Sequence, residues 1–441
     1  MPPDEGSGRQ EGTAGGDLLT ADFLATAATA VRGNVEVPGS KSGTNRALVL
    51  SALADGPSTV TGALESRDCD LMVDALRALG VNIEASGPGE LRIMPPQRFR
   101  GAPGGIDCGL AGTVMRFVPP LVALADSPTR FYGDPQATTR PMSGLLDGLR
   151  QLGAGIDADS LPFTLVPGPM TSDSEVVIDS SASSQFVSGL LLIGARLPSG
   201  LRLRHAGDSL PSRPHIAMTV EMLRARGVRI DEPDATSWRV HSGPVLPLDV
   251  RVEPDLTNAS VFLAAGAATG GCVTVPGWPG STLQPGARFL DVAERMGCTT
   301  TRSGEAVTLI GPCRLRGIDV DLHDASELTP VVAALAALAE GTTRITGIAH
   351  IRGHETDRLS ALTTELRKLG VAVIEHHGGL EITGGPRGRG GVELSSYADH
   401  RMVHFAAIVA LDRPGTGVDD LTCVSKTMPD FPRLWNQLVT T

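Results

Sequence analysis

Two kinds of apolar run alternate along the 441 residues, and the contrast between them organises the chain. The first kind is amphipathic and stops at glycine. It ends in Ala75-Leu76-Arg77-Ala78-Leu79-Gly80-Val81, Gly148-Leu149-Arg150-Gln151-Leu152-Gly153-Ala154 and Met222-Leu223-Arg224-Ala225-Arg226-Gly227-Val228. It returns in Val292-Ala293-Glu294-Arg295-Met296-Gly297-Cys298 and Glu365-Leu366-Arg367-Lys368-Leu369-Gly370-Val371. Apolar residues at helical spacing, followed by Gly just past the end, predict a helix closed by left-handed backbone; a short alternating strand follows each. The five glycines lie about seventy residues apart, a period longer than a solenoid's but too regular for chance.

The second kind of run is rich in Ala and Leu throughout, as expected of a helix buried on all sides. A polar phrase precedes each: Ser40-Lys41-Ser42-Gly43-Thr44, Gly109-Leu110-Ala111-Gly112-Thr113, Ser183-Ser184-Gln185, Asp255-Leu256-Thr257-Asn258-Ala259, Ala325-Ser326-Glu327-Leu328-Thr329 and Ala398-Asp399-His400-Arg401. Each unit therefore reads helix–strand–helix–strand, the sixth with a helix over Met402–Leu411 and its end near Leu438. Such units bury their helices only against one another, which predicts two globular halves of three units with a cleft between them. Under that pseudo-symmetry the six helix starts face the cleft, each with roughly half a positive charge.

The first phrase is the richest. Val35 and Val37 alternate as in a strand, and a Gly/Ser loop then leads to a helix start expected at Ser42 or Thr44. Lys41 and Arg46 flank that start, where free N–H groups already favour an anion. Composition limits what the anion can be. A formal net charge of −11 argues against nucleic acid or an anionic membrane, while a local cation cluster can still take a small anionic substrate. Aromatic residues make up only 3% of the chain, too few for base-stacking platforms. No apolar run approaches the ~20 residues of a membrane helix. The six cysteines lack metal-ligand spacing and read as reduced structural thiols, with no zinc site. Residues 1–30 read as a disordered tail, with at most a short helix around Leu18–Ala27, and lack the basic start and apolar core of a signal peptide. A cytoplasmic protein is expected.

Six phrases, in this order, resemble the 5-enolpyruvylshikimate-3-phosphate synthase family over residues 31–438. They are Ser40-Lys41-Ser42-Gly43-Thr44-Asn45-Arg46-Ala47-Leu48, Leu110-Ala111-Gly112-Thr113-Val114-Met115-Arg116, Ser183-Ser184-Gln185-Phe186, Gly353-His354-Glu355-Thr356-Asp357-Arg358-Leu359, Asp399-His400-Arg401-Met402 and Lys426-Thr427-Met428-Pro429. The resemblance implies two inverted α/β domains, each of three βαβαββ units around a cleft. It also implies transfer of the enolpyruvyl group of phosphoenolpyruvate to the 5-hydroxyl of shikimate 3-phosphate, with release of phosphate and without metal or organic cofactor. A monomer is the family's habit. The chain would cross between halves near Gly39–Lys41 and Glu253–Asp255, so that 31–40 joins 255–441 in one domain and 41–254 forms the other.

For phosphoenolpyruvate the resemblance implies Lys41, Gly112, Arg140, Gln185, Arg358, Arg401 and Lys426. For shikimate 3-phosphate it implies Lys41, Ser42, Arg46, Ser183, Ser184, Gln185, Ser212, Glu327 and His354. Glu327 is expected to take the proton of the 5-hydroxyl and Glu355 to handle the methylene proton, with Lys41 sharing that work. Some positions depart from the family's most familiar form. Glu327 stands where Asp is frequent, His350 and His354 where Asn and Lys hold shikimate 3-phosphate, His215 where a Tyr lies near Ser212, and Phe117 where Pro follows Met115-Arg116. Gly112 implies sensitivity to the inhibitor glyphosate, because a side chain there would crowd the phosphoenolpyruvate pocket.

Three other functions would leave different marks in the sequence. A UDP-N-acetylglucosamine enolpyruvyl transferase usually places a reactive Cys five residues before Arg-Pro of its mobile loop, where this chain has Pro135. A catalytically inactive binding relative would lack some of the expected cations, and all are present. A phosphate-sugar binder on an unrelated α/β fold would need a Gly-rich nucleotide loop after a strand, and none follows one here.

Overall fold

The computed structural model describes residues 30–171, 174–385 and 390–440. Twelve α-helices lie among them: α1 (Lys41–Ala52), α2 (Arg67–Ala78), α3 (Gly112–Ala123), α4 (Ser143–Gln151), α5 (Gln185–Ile193), α6 (Arg213–Arg224), α7 (Leu256–Thr269), α8 (Phe289–Arg295), α9 (Thr329–Leu338), α10 (Arg358–Lys368), α11 (His400–Ala410) and α12 (Phe431–Val439). The two kinds of apolar run become two layers. α3 is buried at every residue, and α5, α7, α9 and α11 nearly so, whereas even-numbered helices such as α2 and α4 bury one face. Gly80, Gly153, Gly227, Gly297 and Gly370 all have positive φ, from 73° to 107°, as a glycine just past a helix end requires.

Five four-stranded sheets share one design. In the clearest, Ile106–Asp107 runs parallel to Thr129–Tyr132, a geometry that demands a helical crossover, supplied by α3. Thr129–Tyr132 then pairs antiparallel with Phe163–Val166, whose other neighbour is Gly155–Ile156. The sixth sheet departs from the expected unit: among the described residues it holds only Glu393–Leu394 parallel to Gly417–Val418, with no hairpin.

Two sheets take their first strand from a distant part of the chain. Arg32–Asn34 lies beside Cys272–Pro276, and Val250–Arg251 beside Ser58–Thr61. The residues between these strands form a double crossing, in which Ser40 N–H donates to Glu253 O at 2.8 Å and Asp255 N–H to Pro38 O at 2.9 Å. One apolar core collects Val31, Val35 and Val37 with residues from Leu256 to Val439; a second runs from Ala47 to Val252.

Three boundaries differ from the sequence expectation. Strand pairing near the start covers Arg32–Asn34, while Val35 and Val37 continue in extended chain and drop their side chains into the first core. α1 begins at Lys41 with Ser40 as cap, its Oγ accepting from Gly43 N–H at 3.2 Å. The crossing explains the shift, because the bond to Glu253 O keeps Ser40 extended and lets the helix start immediately after it. Thr44, the other expected start, lies inside α1 and accepts from Leu64 N–H instead. α11 likewise opens at His400, since Asp399 caps it by accepting from Arg401 N–H. The helix expected around Leu18–Ala27 lies outside the described residues.

All six cysteines are unpaired. Burial pushes Cys69, Cys108 and Cys298 up to about 12, which makes them inert packing groups. No helix among the described residues is long and apolar enough to cross a membrane.

Candidate active site

The six polar phrases meet. Lys41 of α1, Gly112 of α3, Gln185 of α5, Thr257 of α7, Glu327 just ahead of α9 and Arg401 of α11 all line one cavity between the two cores, with a free volume of about 110 Å³. Ser40, Asp255 and Asp399 cap their helices through side chains, and Ser183 Oγ accepts from Gln185 N–H at 3.3 Å at the start of α5, but no side chain caps α3. The first N–H groups of α3 therefore bring donors and a positive dipole end to the cavity at no further charge.

Around this floor stand side-chain cations balanced by buried carboxylates. Arg358 is fully buried at the start of α10 and acts as the hub. Its Nε donates to Asp399 Oδ2 at 2.7 Å, its Nη1 to Glu327 Oε2 at 2.8 Å and its Nη2 to Glu355 Oε2 at 2.8 Å. Arg401 Nε lies 2.5 Å from Glu327 Oε2, and Lys426 Nζ donates to Glu355 Oε1 at 2.7 Å. From the other core, Lys41 Nζ donates to Asp68 Oδ2 at 3.0 Å and Arg140 Nη1 to Leu110 O at 2.9 Å. The five cations singled out in the sequence thus converge, although Arg358 and Lys426 sit one contact behind the cavity wall. Buried nitrogens Arg140 Nε and Arg401 Nη1 have no hydrogen-bond partner among the described residues.

Burial alone would raise both glutamates, but the cations win. Arg358 and Arg401 hold Glu327 well below the usual carboxylate range, and Lys426, Arg358 and Arg140 do the same for Glu355. Both are ionised at neutral pH. Burial also pulls Lys426 below its ordinary value, against the attraction of Glu355. Lys41 shows the opposite balance, since Asp68 and Glu355 outweigh its burial and raise it.

Ser42, Ser183, Ser184, Gln185, Ser212 and His354 line the same cavity. Ser212 is held in left-handed backbone, φ 53°, and its N–H reaches across to His323 O at 3.2 Å. His354 Nδ1 accepts from Arg358 Nη1 at 3.0 Å, which leaves its Nε2 as the donor. His350 Nε2 lies 2.8 Å from Ser326 Oγ.

Arg46, unlike Arg358 and Lys426, joins none of the ion pairs at the site. It does not line the cavity: Nε donates to Thr219 Oγ1 at 2.7 Å, Nη1 to Ser42 O and Nη2 to His215 O, with the guanidinium 5.0 Å over the Phe117 ring. Burial brings its pKa down to about 9. It braces α1 against α6, and a cation there is compensated by carbonyl oxygens and a ring face.

Two cavity residues were not singled out from the sequence. Arg116, four residues along α3 from Gly112, curls back so that Nη1 donates to Gly112 O at 3.3 Å and Nη2 to Pro141 O at 2.8 Å. The i,i+4 spacing from a helix start was the available signal. Gln284 clasps the second crossing, accepting from Leu256 N–H and donating to Glu253 and to Pro254 O; nothing local in the sequence marks it. A Cβ built on Gly112 would sit 3.0 Å from Arg140 Nη2 and 3.1 Å from Arg116 Nη1, so the glycine keeps the α3 N-terminus open between two guanidinium groups.

A cation-lined cavity between two three-unit halves defines the enolpyruvyl transferase class. The fold matches the enolpyruvyl transferase NikO from Streptomyces tendae, with TM-score 0.71, 20% identity and coverage of 93% of this chain and 95% of that one. It also matches the EPSP synthase structure from Acinetobacter baumannii, with TM-score 0.77, 25% identity and coverage of 94% and 97%. Residues 25–435 fit the profile of EPSP synthase (3-phosphoshikimate 1-carboxyvinyltransferase), and the chain is 49% identical over 424 residues to the 3-phosphoshikimate 1-carboxyvinyltransferase of Mycobacterium ulcerans, covering 94% of this chain and 96% of that one. The chain belongs to the EPSP synthase family. It is an enzyme of the shikimate pathway that transfers the enolpyruvyl group of phosphoenolpyruvate to shikimate 3-phosphate.

Proposed function

We propose that this transfer is carried out by substituting substrate anions for the protein's own carboxylates. The observation behind this reading is the shared use of Arg358: it donates to both Glu327 and Glu355, while Arg401 pairs with the first and Lys426 with the second. A bound phosphoenolpyruvate offers its carboxylate to Arg358 and Arg401, and its phosphate to Lys41, Arg140, Lys426, Gln185 and the N–H groups opened by Gly112. The orphaned donors of Arg140 and Arg401 favour this assignment, because an anion would satisfy them.

Shikimate 3-phosphate then occupies the serine side of the cavity. Ser183, Ser184 and Ser212 take its phosphate with help from Lys41, while Ser42, Gln185 and His354 hold the ring; Arg46 fixes Ser42 from behind. Once Arg401 turns to substrate, Glu327 loses part of what keeps its carboxyl so acidic. Its proton affinity rises, as a base for the 5-hydroxyl requires. Lys41, which Asp68 and Glu355 keep protonated, supplies a proton through Glu355 to the methylene carbon as the 5-oxygen bonds the neighbouring carbon. Glu355 then takes a proton back from the methyl group so formed while the carbon–oxygen bond to phosphate breaks, and the proton held by Glu327 leaves with the phosphate.

The whole site lies within one chain, which supports a monomer. The substrates are metabolites of a biosynthetic route, which supports the cytoplasm. Residues 31–40 with 255–441, and 41–254, would move as two domains about the double crossing.

Phosphate release by the purified full chain tests the scheme. Release is expected with phosphoenolpyruvate and shikimate 3-phosphate and not with UDP-N-acetylglucosamine as acceptor. Glu327→Gln should lower kcat by about 10²–10⁴-fold, the usual weight of a positioned base. A loss below threefold would remove Glu327 from that role.

A further inference from the structure

Arg358 and Arg401 owe their placement to one carboxylate. Asp399 Oδ2 accepts from Arg358 Nε at 2.7 Å, while its Oδ1 accepts from Arg358 Nη2 at 3.2 Å and from Arg401 N–H at 2.9 Å. The turn that delivers Asp399 is costly. Tyr397 and Ala398, two consecutive residues with side chains, stand in left-handed backbone with φ of 55° and 54°. Neither is glycine, so the surrounding structure must impose the conformation.

What imposes it is a buried acid. Glu365, in the penultimate turn of α10, has a side chain with no exposure to solvent. Its Oε1 accepts from the Tyr397 hydroxyl at 2.6 Å, and its Oε2 accepts from Ser395 N–H at 3.1 Å and lies 2.8 Å from Lys368 Nζ. From the far side, Asp419 Oδ1 accepts from Ser396 N–H at 2.8 Å, and Asp399 N–H closes the turn onto Ser396 O at 2.9 Å. The same helix thus carries Arg358 at its first residue and, seven residues on, the anchor of the turn that holds Arg358's partner. The loop closes on itself: α10, Glu365, Tyr397, Asp399, Arg358.

We propose that Glu365 and Tyr397 are positioning residues for phosphoenolpyruvate, holding the left-handed turn that aims Asp399 and, through it, both arginines. This rests on the reading above in which Arg358 and Arg401 receive that substrate. Tyr397→Phe removes one oxygen and leaves the ring. It should raise KM for phosphoenolpyruvate about tenfold, leave KM for shikimate 3-phosphate within twofold, and leave the far-ultraviolet circular dichroism unchanged. Adding Ala398→Gly to that variant, which lets the second residue take left-handed backbone freely, should recover at least threefold of the lost KM. A merely structural hydroxyl would lower the amount of active enzyme, and hence kcat, with neither KM altered. That result, an equal rise in both KM values, or no recovery on adding glycine overturns the proposal. Should Tyr397→Phe fail to fold, Glu365→Gln, which turns an amide against Ser395 N–H, must give the same substrate-selective rise. Arg401→Lys measured in parallel separates the two ideas. If it raises KM for phosphoenolpyruvate and Tyr397→Phe does not, the brace alone fails; if it does not, the arginine assignment fails and the brace with it.

Discussion

At His354 one hydrogen bond decides the chemistry. Because Nδ1 accepts from Arg358, the ring is neutral and presents Nε2–H, so this chain offers a directional, uncharged donor where the family's familiar lysine offers a point charge. Burial pulls His354 down to about 3 and His350 to about 4, despite the nearby Glu327. From pH 6.5 down to about 4 the unfolded chain therefore takes up protons that these native rings do not. Stability should fall as pH drops through that window and rise with pH across it. The paired change His350→Asn and His354→Asn should make the slope of the urea midpoint between pH 5 and 6.5 shallower, a range chosen to lie above the ordinary titration of Glu327 and Glu355. An unchanged slope would show that the rings are protonated in the native state. Gly112 is the other decisive residue. Gly112→Ala places a methyl 3.0–3.2 Å from the guanidinium groups of Arg140 and Arg116, tighter than normal contact, so Arg140 must move. The expected outcome is a rise of about tenfold in KM for phosphoenolpyruvate and a larger rise in the glyphosate concentration needed for half inhibition. Steady-state kinetics with and without the inhibitor reads both; equal sensitivity in parent and variant would contradict the crowding argument.

At the scale of elements, what the sequence made visible follows from what is local. Glycine just past a helix end and polar residues at a helix start are chosen by backbone needs within a few residues, so the five glycine stops and the six facing N-termini could be read directly. Arg46 could not. Its role depends on Thr219 and His215, more than 160 residues away, and a motif match alone gives it the same weight as a substrate contact. In the sequence Glu365 reads only as part of a helix end, and its burial follows from a turn thirty residues later. The crossing between halves moved the start of α1 for the same reason, since Glu253, not the local sequence, keeps Ser40 extended. Caps at these starts carry measurable weight. Asp255 Oδ1 accepts from Asn258 N–H at 2.9 Å, and Oδ2 from Lys41 N–H at 3.3 Å, so one side chain serves two helices from opposite halves. Asp255→Ala should cost about 1–2 kcal/mol in urea unfolding, near the upper end for a lost cap, with Asp255→Asn restoring most of it. A cost within about 0.5 kcal/mol, the scatter of exposed surface changes, would mean that neither bond matters.

Across the whole molecule, charge is shared unevenly between the two walls of the cavity. The wall from the second core brings Lys41, Arg116 and Arg140 against a single buried partner, Asp68. The opposite wall brings Arg358, Arg401 and Lys426, already matched by Asp399, Glu327 and Glu355. Hydrogen bonds across the gap beside Ser212 are few and neutral, from Ser212 N–H to His323 O and between His323 Nε2 and Leu210 O. Without a bound anion, Lys41 and Arg140 repel Arg401 and Lys426 across the gap while Glu355 draws them, all within a screening length of about 8 Å at physiological salt, and the surplus of the second wall stays unbalanced. Anionic substrates would remove that surplus and attract both walls, so closure of the two halves would follow binding. Small-angle scattering should therefore report a larger radius of gyration for the free chain than for the chain with shikimate 3-phosphate and glyphosate. The contraction should shrink in Arg140→Met, which lowers the surplus it relieves. Raising salt from 0.05 to 0.5 M should compact the free chain and raise KM for both substrates. A free chain as compact as the ligand-bound one at low salt would mean that apolar contact at the double crossing, and not charge, sets the distance between the halves.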